Sequence, residues 1–295
     1  MTVDEHDRLA ARFEAQRTHL RAVAYRMLGS LSDADDAVQE TWIRLSHADT
    51  SDVQNLGGWL TTVVGRVCVD MLRSRKARRE EPLDVHVPDP VVSRMDGIDP
   101  EDEALLADSV GLALLVVLDA LAPAERLALV LHDMFAVPYD EIAPLLGRSP
   151  NAAAQLASRA RRRVQDTATP DGDLTRQREV VDAFFTAARR GDFDGLVTVL
   201  DPGIVLRSDG GAMRPGVSKL MGGAASVAQQ ALTFAQLSPF VRPALVNGAT
   251  GVIVAPHGRL ISIMGFIVRR EKITEIDVLA DPERLRRLDL AILND

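Results

Sequence analysis

The sequence contains very little of several residue types that define common protein classes. Its one cysteine, Cys68, excludes a disulfide framework and a cysteine-based zinc finger. No uninterrupted apolar run reaches the roughly 18 residues that a membrane-spanning helix needs. The first twelve residues are too charged for a signal peptide. We therefore expect a cytoplasmic protein without disulfides or membrane contact.

Signatures of catalysis are missing as well. The sequence has no phosphate-binding loop, dinucleotide fingerprint, metal-ligand cluster or nucleophile elbow, so we expect no catalytic residue, no cofactor and no metal. In the last domain, three polar residues are the only acid/base candidates, and each has a structural explanation. His257 lies in a Pro-His-Gly turn, Asp209 precedes two glycines, and Asp277 alternates with apolar residues in a strand pattern.

An excess of positive charge is also lacking, because the formal net charge is −8 and the pI is near 5.3. This average argues against a protein that coats nucleic acid through bulk charge. However, the charge is segregated along the 295 residues. Residues 80–108 hold ten acidic residues and one arginine, whereas 66–79 hold six bases and one acid, and 148–163 hold five arginines and no acid. Two basic segments therefore flank an acidic connector.

The second basic segment has helix-turn-helix organisation. Apolar periodicity predicts helices over 123–135 and 139–146, and Gly147-Arg148 forms a tight turn. Ser149 is placed to cap a third helix, with Pro150 at its first position. One face of that helix carries amides and guanidinium groups, which suit base edges and phosphates in a major groove. These residues are Asn151, Gln155, Ser158, Arg159 and Arg162.

Helical periodicity also covers 7–29, 33–46 and 59–75, with Ser32 as the predicted cap of the second helix. After two further helices, 174–190 and 193–200, the pattern changes to β-branched runs separated by turns. Helices followed by an antiparallel meander predict an α+β domain with helices on one face of a curved sheet.

Several motifs carry a resemblance to a known family. Ala24–Gly29 (AYRMLG), Asp33–Trp42 (DADDAVQETW) and Gly58–Val64 (GWLTTVV) resemble region 2 of extracytoplasmic-function (ECF) sigma factors. Leu121–Arg126 (LAPAER), Tyr139–Ala143 (YDEIA) and Ala157–Arg161 (ASRAR) resemble region 4. Residues 174–288 resemble a SnoaL-like (NTF2-like) domain, which one subgroup of these factors carries as a carboxy-terminal extension.

The resemblance implies a multi-domain fold. Two all-α sigma domains, a region 2 helical bundle and a region 4 helix-turn-helix, are followed by an α+β SnoaL/NTF2-like cone. The predicted boundaries are 1–79 for region 2, 80–108 for the acidic linker, 109–166 for region 4, 167–173 for a second linker, and 174–295 for the SnoaL-like regulatory domain.

The resemblance also implies partners, namely promoter DNA and core RNA polymerase through its β′ clamp coiled coil and β flap. Region 4 would read the −35 element with the five residues named above. Region 2 would open and hold the −10 element with Asn55, Trp59, Arg66, Arg73, Arg75 and Lys76. Core polymerase would contact Asp33, Asp36, Glu40 and Trp42.

Two motifs of the extension are implied to regulate the sigma domains in cis. The subgroup's Asp-Gly-Gly-Gly-Lys-type loop corresponds here to Asp209–Arg214 (DGGAMR), and its Asn-Pro-Asp-Lys-Leu-like motif to Asp281–Leu285 (DPERL). The third glycine, the lysine and the asparagine are absent, as is the usual Trp-Leu-Pro-Glu-Pro motif of the linker. The regulatory residues are Asp209, Gly210, Gly211, Arg214, Asp281 and Pro282.

Two alternatives stay open at this point. A SnoaL-type enzyme or ligand sensor could be fused to a DNA-binding module, or the chain could be a ligand-sensing repressor that acts without polymerase. Promoter elements one and a half to two helical turns apart lie roughly 50–70 Å from each other. A flexible chain of the connector's length spans only roughly 25–30 Å. The acidic connector must therefore be held extended, or the domains must supply part of the reach, and we expect it to occupy a basic channel of the polymerase. Whether a small molecule binds the extension stays open.

Overall fold

The computed structural model describes residues 3–49, 53–78, 85–95, 111–165 and 173–288. These residues group into two units. The first contains 3–49, 53–78 and 114–165, and the second contains 85–95, 111–113 and 173–288. Most of both predicted linkers lies outside the described residues. The described part of the acidic linker belongs to the second unit rather than standing apart as a connector.

The first unit is helical throughout its described residues. It contains α1 (Val3–Glu14), α2 (Arg17–Leu28), α3 (Leu31–His47), α4 (Leu56–Arg78), most of α5 (Leu112–Ala120), α6 (Pro123–Leu129), α7 (Tyr139–Leu146) and α8 (Pro150–Gln165). A π-helical turn, Val130–Met134, continues α6. Apolar side chains of α2 and α4, such as Leu20, Met27 and Leu60, are fully buried.

Two details of the first helices differ from the predictions. The segment predicted as one helix over 7–29 is two helices, because the chain turns at residues 15 and 16. The cap of α3 is Ser30 rather than Ser32. Ser30 has an extended backbone and its hydroxyl accepts a hydrogen bond from Asp33 N at 3.4 Å, whereas Ser32 already lies inside the helix.

The second unit is built around one sheet. Its helices are α9 (Leu174–Arg190), α10 (Phe193–Val199), α11 (Ala224–Thr233) and α12 (Pro282–Arg287). Its strands are β1 (Val92–Ser93), β2 (Leu200–Asp209), β3 (Lys219–Gly222), β4 (Val241–Val246), β5 (Ala249–Val254), β6 (Ser262–Arg269) and β7 (Lys272–Leu279). The strand order is β1-β4-β5-β6-β7-β2-β3, and β2 pairs with β7 in parallel while the other pairs are antiparallel.

The helices α9, α10 and α11 cover one face of this sheet, where Phe184, Leu196 and Phe266 share a single core. Alternation along β2 sends Ile204 and Leu206 into that core and places Arg207 and Asp209 on the opposite face. The α+β architecture that the sequence predicts is confirmed. The sequence did not predict α11, nor the short strands β1 and β3, which have two and four residues.

We expect Gly251→Ala to destabilise the second unit. A Cβ at this position would collide with Val246 Cγ2 and lie 2.7 Å from the Met264 carbonyl oxygen. Such overpacking typically costs about 1–3 kcal/mol, and thermal unfolding monitored by circular dichroism would measure it. The control is Gly216→Ala, because an added Cβ there meets nothing within 4 Å. Equal stability of the two variants would contradict the prediction.

Candidate functional site

The predicted helix-turn-helix is formed by α7, the turn at Gly147 and α8. Gly147 ends α7 in the left-handed conformation (φ 62°), and the Ser149 hydroxyl accepts a hydrogen bond from Ala152 N at 3.3 Å. Three small residues of α8, Ala153, Ala157 and Ala160, are fully buried. The opposite side is exposed, and it presents all five predicted −35 residues: Asn151, Gln155, Ser158, Arg159 and Arg162.

The predicted −10 residues divide into two groups. Asn55 begins α4, its Oδ1 accepting a hydrogen bond from Gly58 N at 3.1 Å. Trp59, Arg66 and Arg73 follow at intervals of seven residues and therefore lie along one stripe of α4, with both arginines exposed. Arg75 lies elsewhere, in an ion pair with Asp33. The side chain of Lys76 and residues 50–52 lie outside the described residues.

The predicted polymerase-binding residues lie on and beside α3. Asp36 is exposed, Glu40 Oε1 pairs with Arg44 Nε at 3.0 Å, and Trp42 packs on Phe13 with ring centroids 5.1 Å apart. Ile43 is 45% exposed and shares a helix face with Asp36 and Glu40. Ile43 was not among the predicted residues, although an apolar residue three positions after Glu40 on an acidic helix face is typical of a protein-binding surface.

The helix-turn-helix half of the first unit packs directly on the α1–α4 half. Arg126 of α6 is buried and donates from Nη1 to the Met27 carbonyl at the end of α2 at 2.8 Å. Helix α4 approaches at Gly65, where an added Cβ would lie 3.1 Å from the Cδ1 atoms of Leu127 and Leu131. Close helix packing therefore depends on glycine at this position.

Phe135 adds aromatic contacts to the same interface. Arg26 Cζ lies 4.8 Å from the centre of its ring, and the His19 ring meets it edge-on at 5.2 Å. No sequence pattern predicted this interface, because buried arginine and glycine inside helices resemble surface and flexible positions.

The described part of the acidic linker is bound within the second unit by the two predicted regulatory motifs. Asp209 Oδ2 accepts hydrogen bonds from Val87 N at 3.1 Å and from Arg284 Nη1 at 2.8 Å. Arg284 also donates from Nε to Asp89 Oδ1 at 2.7 Å and from Nη2 to the Val87 carbonyl at 2.6 Å. Asp209 and Arg284 therefore hold both backbone polar groups of Val87.

A second contact lies four residues further along the linker. Asn247 Oδ1 accepts a hydrogen bond from Val91 N at 3.1 Å, and Asn247 N donates to the Val91 carbonyl at 2.8 Å. The next two residues form β1, which pairs with β4. Val85, Val87 and Val91 are buried. The segment is thus recognised as an extended peptide, through its backbone at two points and through alternate apolar side chains.

The remaining regulatory residues shape the loops around this contact. Gly211 adopts φ 65°, and a Cβ there would collide with the Asp281 carboxylate. Asp281 caps α12 by accepting a hydrogen bond from Glu283 N at 2.8 Å, and Pro282 opens that helix. Gly210 N donates to Ser218 Oγ at 3.1 Å, and Arg214 is exposed. These residues support the loop that presents Asp209, while Arg284 was missing from the predicted set.

Electrostatics separates the three acid/base candidates. Burial would raise the pKa of Asp209, but hydrogen bonds from His86 and Val87 N, with the nearby charge of Arg284, lower it to about 2. Burial raises the pKa of Asp277 to about 6, although Arg207 Nη1 lies 3.0 Å from its carboxylate. His257 sits in a turn with φ 53°, against Phe240. Asp209 is thus engaged with the linker, Asp277 with Arg207, and His257 with Phe240.

Comparisons with known proteins agree with this geometry. The Sigma-70 region 2 model matches residues 13–78 and the Sigma-70 region 4 model matches residues 111–164. ECF RNA polymerase sigma factor SigJ of Mycobacterium tuberculosis is 40% identical over 275 residues, covering 90% of this chain and 86% of SigJ. The probable ECF sigma factor SigI of the same species is 35% identical over 285 residues, covering 96% and 97%.

The chain is an ECF sigma factor. The crystal structure of M. tuberculosis SigJ matches it with a TM-score of 0.77 at 36% identity, covering 94% of this chain and 98% of that one. The sigma factor therefore binds core RNA polymerase and promoter DNA, and it directs promoter-specific initiation as a transcription regulator. In the described part of the chain, no helix is long and apolar enough to cross a membrane.

We expect Asp209→Asn to release the linker segment. The amide removes the negative charge that faces Arg284, and it keeps only one oxygen for the donors that Asp209 accepts. Hydrogen exchange at the Val87 and Val91 amides should become at least about tenfold faster, which corresponds to about 1.4 kcal/mol of lost protection. Asp182→Asn, on the exposed side of α9, is the charge-matched control. Unchanged protection at both amides would contradict the linker-binding role of Asp209.

The raised pKa of Asp277 predicts how the stability of the protein depends on pH. Its pKa is about 6 in the folded protein against 3.8 for a free carboxyl, so the folded state holds this proton longer than the unfolded state. Its contribution therefore falls as pH rises from about 4 to about 6 and is constant above that range. Asp277→Asn should flatten this part of the curve of unfolding free energy against pH. An unchanged slope in urea titrations would contradict the assignment.

Proposed function

We propose that the SnoaL-like domain regulates this sigma factor in cis by binding the linker between regions 2 and 4. The proposal is supported by backbone hydrogen bonds at two points of the linker. Asp209 and Arg284 bond the backbone of Val87, and Asn247 bonds the backbone of Val91. One backbone cannot satisfy the same hydrogen bonds with two partners. A linker bound here is therefore withheld from the polymerase channel that an acidic connector would occupy.

The contact between regions 2 and 4 supports the same proposal. Arg126 and Gly65 bring α6 against α2 and α4, so the two regions touch. Promoter elements lie roughly 50–70 Å apart, so we propose that the two regions separate to bind both elements at once. This closed form engages at most one element at a time, and it loses the avidity that two linked modules gain on one DNA.

The DNA and polymerase contacts follow from the exposed surfaces. We assign the −35 element to the exposed face of α8, and the −10 element to Asn55, Trp59, Arg66 and Arg73 of α4. An aromatic ring with nearby cations suits an unstacked base and its phosphates. The β′ clamp coiled coil is assigned to the face of α3 that carries Asp36, Glu40 and Ile43, and the β flap to region 4.

A wedge at Gly65 tests the closed form. Gly65→Gln should improve the helix propensity of α4 while forcing Leu127 and Leu131 away, so we expect opening without loss of either region. A shift of about 1 kcal/mol raises a minor open population about fivefold. Run-off transcription with core polymerase should increase by about that factor, with Gly65→Ala intermediate.

The matched control is Ala183→Gln, which adds the same side chain on the exposed face of α9. A label pair on α3 and α8 should report a longer distance in Gly65→Gln and an unchanged one in the control. Lower transcription from a folded Gly65→Gln protein would contradict the proposal that the interface is inhibitory.

A further inference from the structure

The arginines of α8 differ in what holds them. Arg159 Nε lies 3.3 Å from Glu125 Oε1, and Arg163 Nη1 lies 3.1 Å from Glu125 Oε2. Arg161 instead makes two hydrogen bonds with Asp133, at 2.7 and 2.8 Å. One carboxylate of α6 thus engages two arginines that follow each other by one turn on α8, each through its own oxygen.

Glu125 is itself firmly placed. Its side chain is only 11% exposed, whereas those of Arg159 and Arg163 are 52% and 61% exposed. It lies in the first turn of α6, where the positive end of the helix favours a negative charge. The inner nitrogen of Arg159 and one terminal nitrogen of Arg163 are therefore fixed at a buried anchor, although most of each side chain surface is exposed.

We propose that Glu125 is a positioning residue for promoter recognition, acting through Arg159 and Arg163. A free arginine near DNA pairs with any phosphate, which increases affinity without reading sequence. An arginine whose Nε is already bonded keeps its outer N–H groups at one place beside Asn151, Gln155 and Ser158. Its side chain has also lost rotamer entropy in the free protein already, so ordering it on DNA costs less free energy. Glu125 thus gives sequence discrimination at the expense of general affinity.

This inference rests on the proposed −35 role of α8, and the experiment separates the two. Holoenzyme is formed with core polymerase and each full-length variant. Its affinity is measured for two DNAs: a promoter selected by the wild-type holoenzyme, and the same DNA with a scrambled −35 element. Glu125→Gln should lower the ratio of the two affinities about three- to tenfold. The slope of log affinity against log salt on the scrambled DNA should steepen by about one to two, since up to two arginines become free for phosphates.

Asp133→Asn is the matched control, because it removes one charge from the same region and releases Arg161 instead. It should leave the affinity ratio unchanged. Glu125→Asp keeps the charge but is one methylene too short to reach both arginines, so it should lower the ratio by a smaller factor. Glu125→Asp also carries the test if thermal unfolding shows that Glu125→Gln does not fold.

The second arm repeats Glu125→Gln on a background that carries both Arg159→Ala and Arg163→Ala. No further loss of the ratio is expected there, because Glu125 acts through these two arginines. An equal loss with and without the two arginines, or an unchanged ratio in the single variant, would overturn the positioning role. Arg162→Ala tests the helix itself: if it and Arg159→Ala both leave the ratio unchanged, the −35 assignment of α8 fails together with this inference.

Discussion

The guanidinium of Arg284, whose side chain is 17% exposed, makes the hydrogen bonds on which the second unit's hold on the linker depends. Its three nitrogens bond three different partners: Asp89, Asp209 and the carbonyl of Val87. A buried charge is tolerated only when it is paired and fully hydrogen-bonded. Two of the three partners belong to the linker, so the domain is electrostatically complete only while the linker is bound. Release requires water to replace those contacts around Arg284 and Asp209.

The linker contact in the second unit and the contact between regions 2 and 4 differ in chemistry. The linker is held by charged and backbone hydrogen bonds in addition to buried valines, whereas the contacts between regions 2 and 4 include Gly65, two leucines, Phe135 and a hydrogen bond from Arg126. Hydrogen bonds are directional and fix the register of an extended peptide, whereas apolar contacts are non-directional. The linker contact is therefore the more specific of the two.

Local features of the fold were predictable from sequence, and long-range partners were not. Gly147, Ser149 and Pro150 define the turn and cap of α8 through effects that act within four residues, and the buried alanines follow from helical spacing. The pairing of Arg159 with Glu125 joins residues 34 apart, and that of Arg284 with Asp89 joins residues 195 apart. An Asn-Gly pair such as that at 247–248 is typical of a turn, but nothing local indicates that the same asparagine binds Val91. Prolines such as those at 88 and 90 are typical of a linker, yet they are also compatible with an extended segment that leads into an edge strand.

The departures from the subgroup's motifs are compatible with the linker contacts of this structure. Where the terminal motif of the subgroup has lysine, this chain has Arg284, and the planar fork of arginine reaches acceptors on three sides that a single ammonium group contacts less readily. Where the motif has asparagine, Asp281 still caps α12, because capping needs only a side-chain oxygen. Arg214, the base that ends this loop, is exposed, and Asp209 is the loop residue whose carboxylate contacts the linker. The part of the linker contact that comes from the two motifs therefore rests on Asp209 and Arg284, beside the separate contact of Asn247.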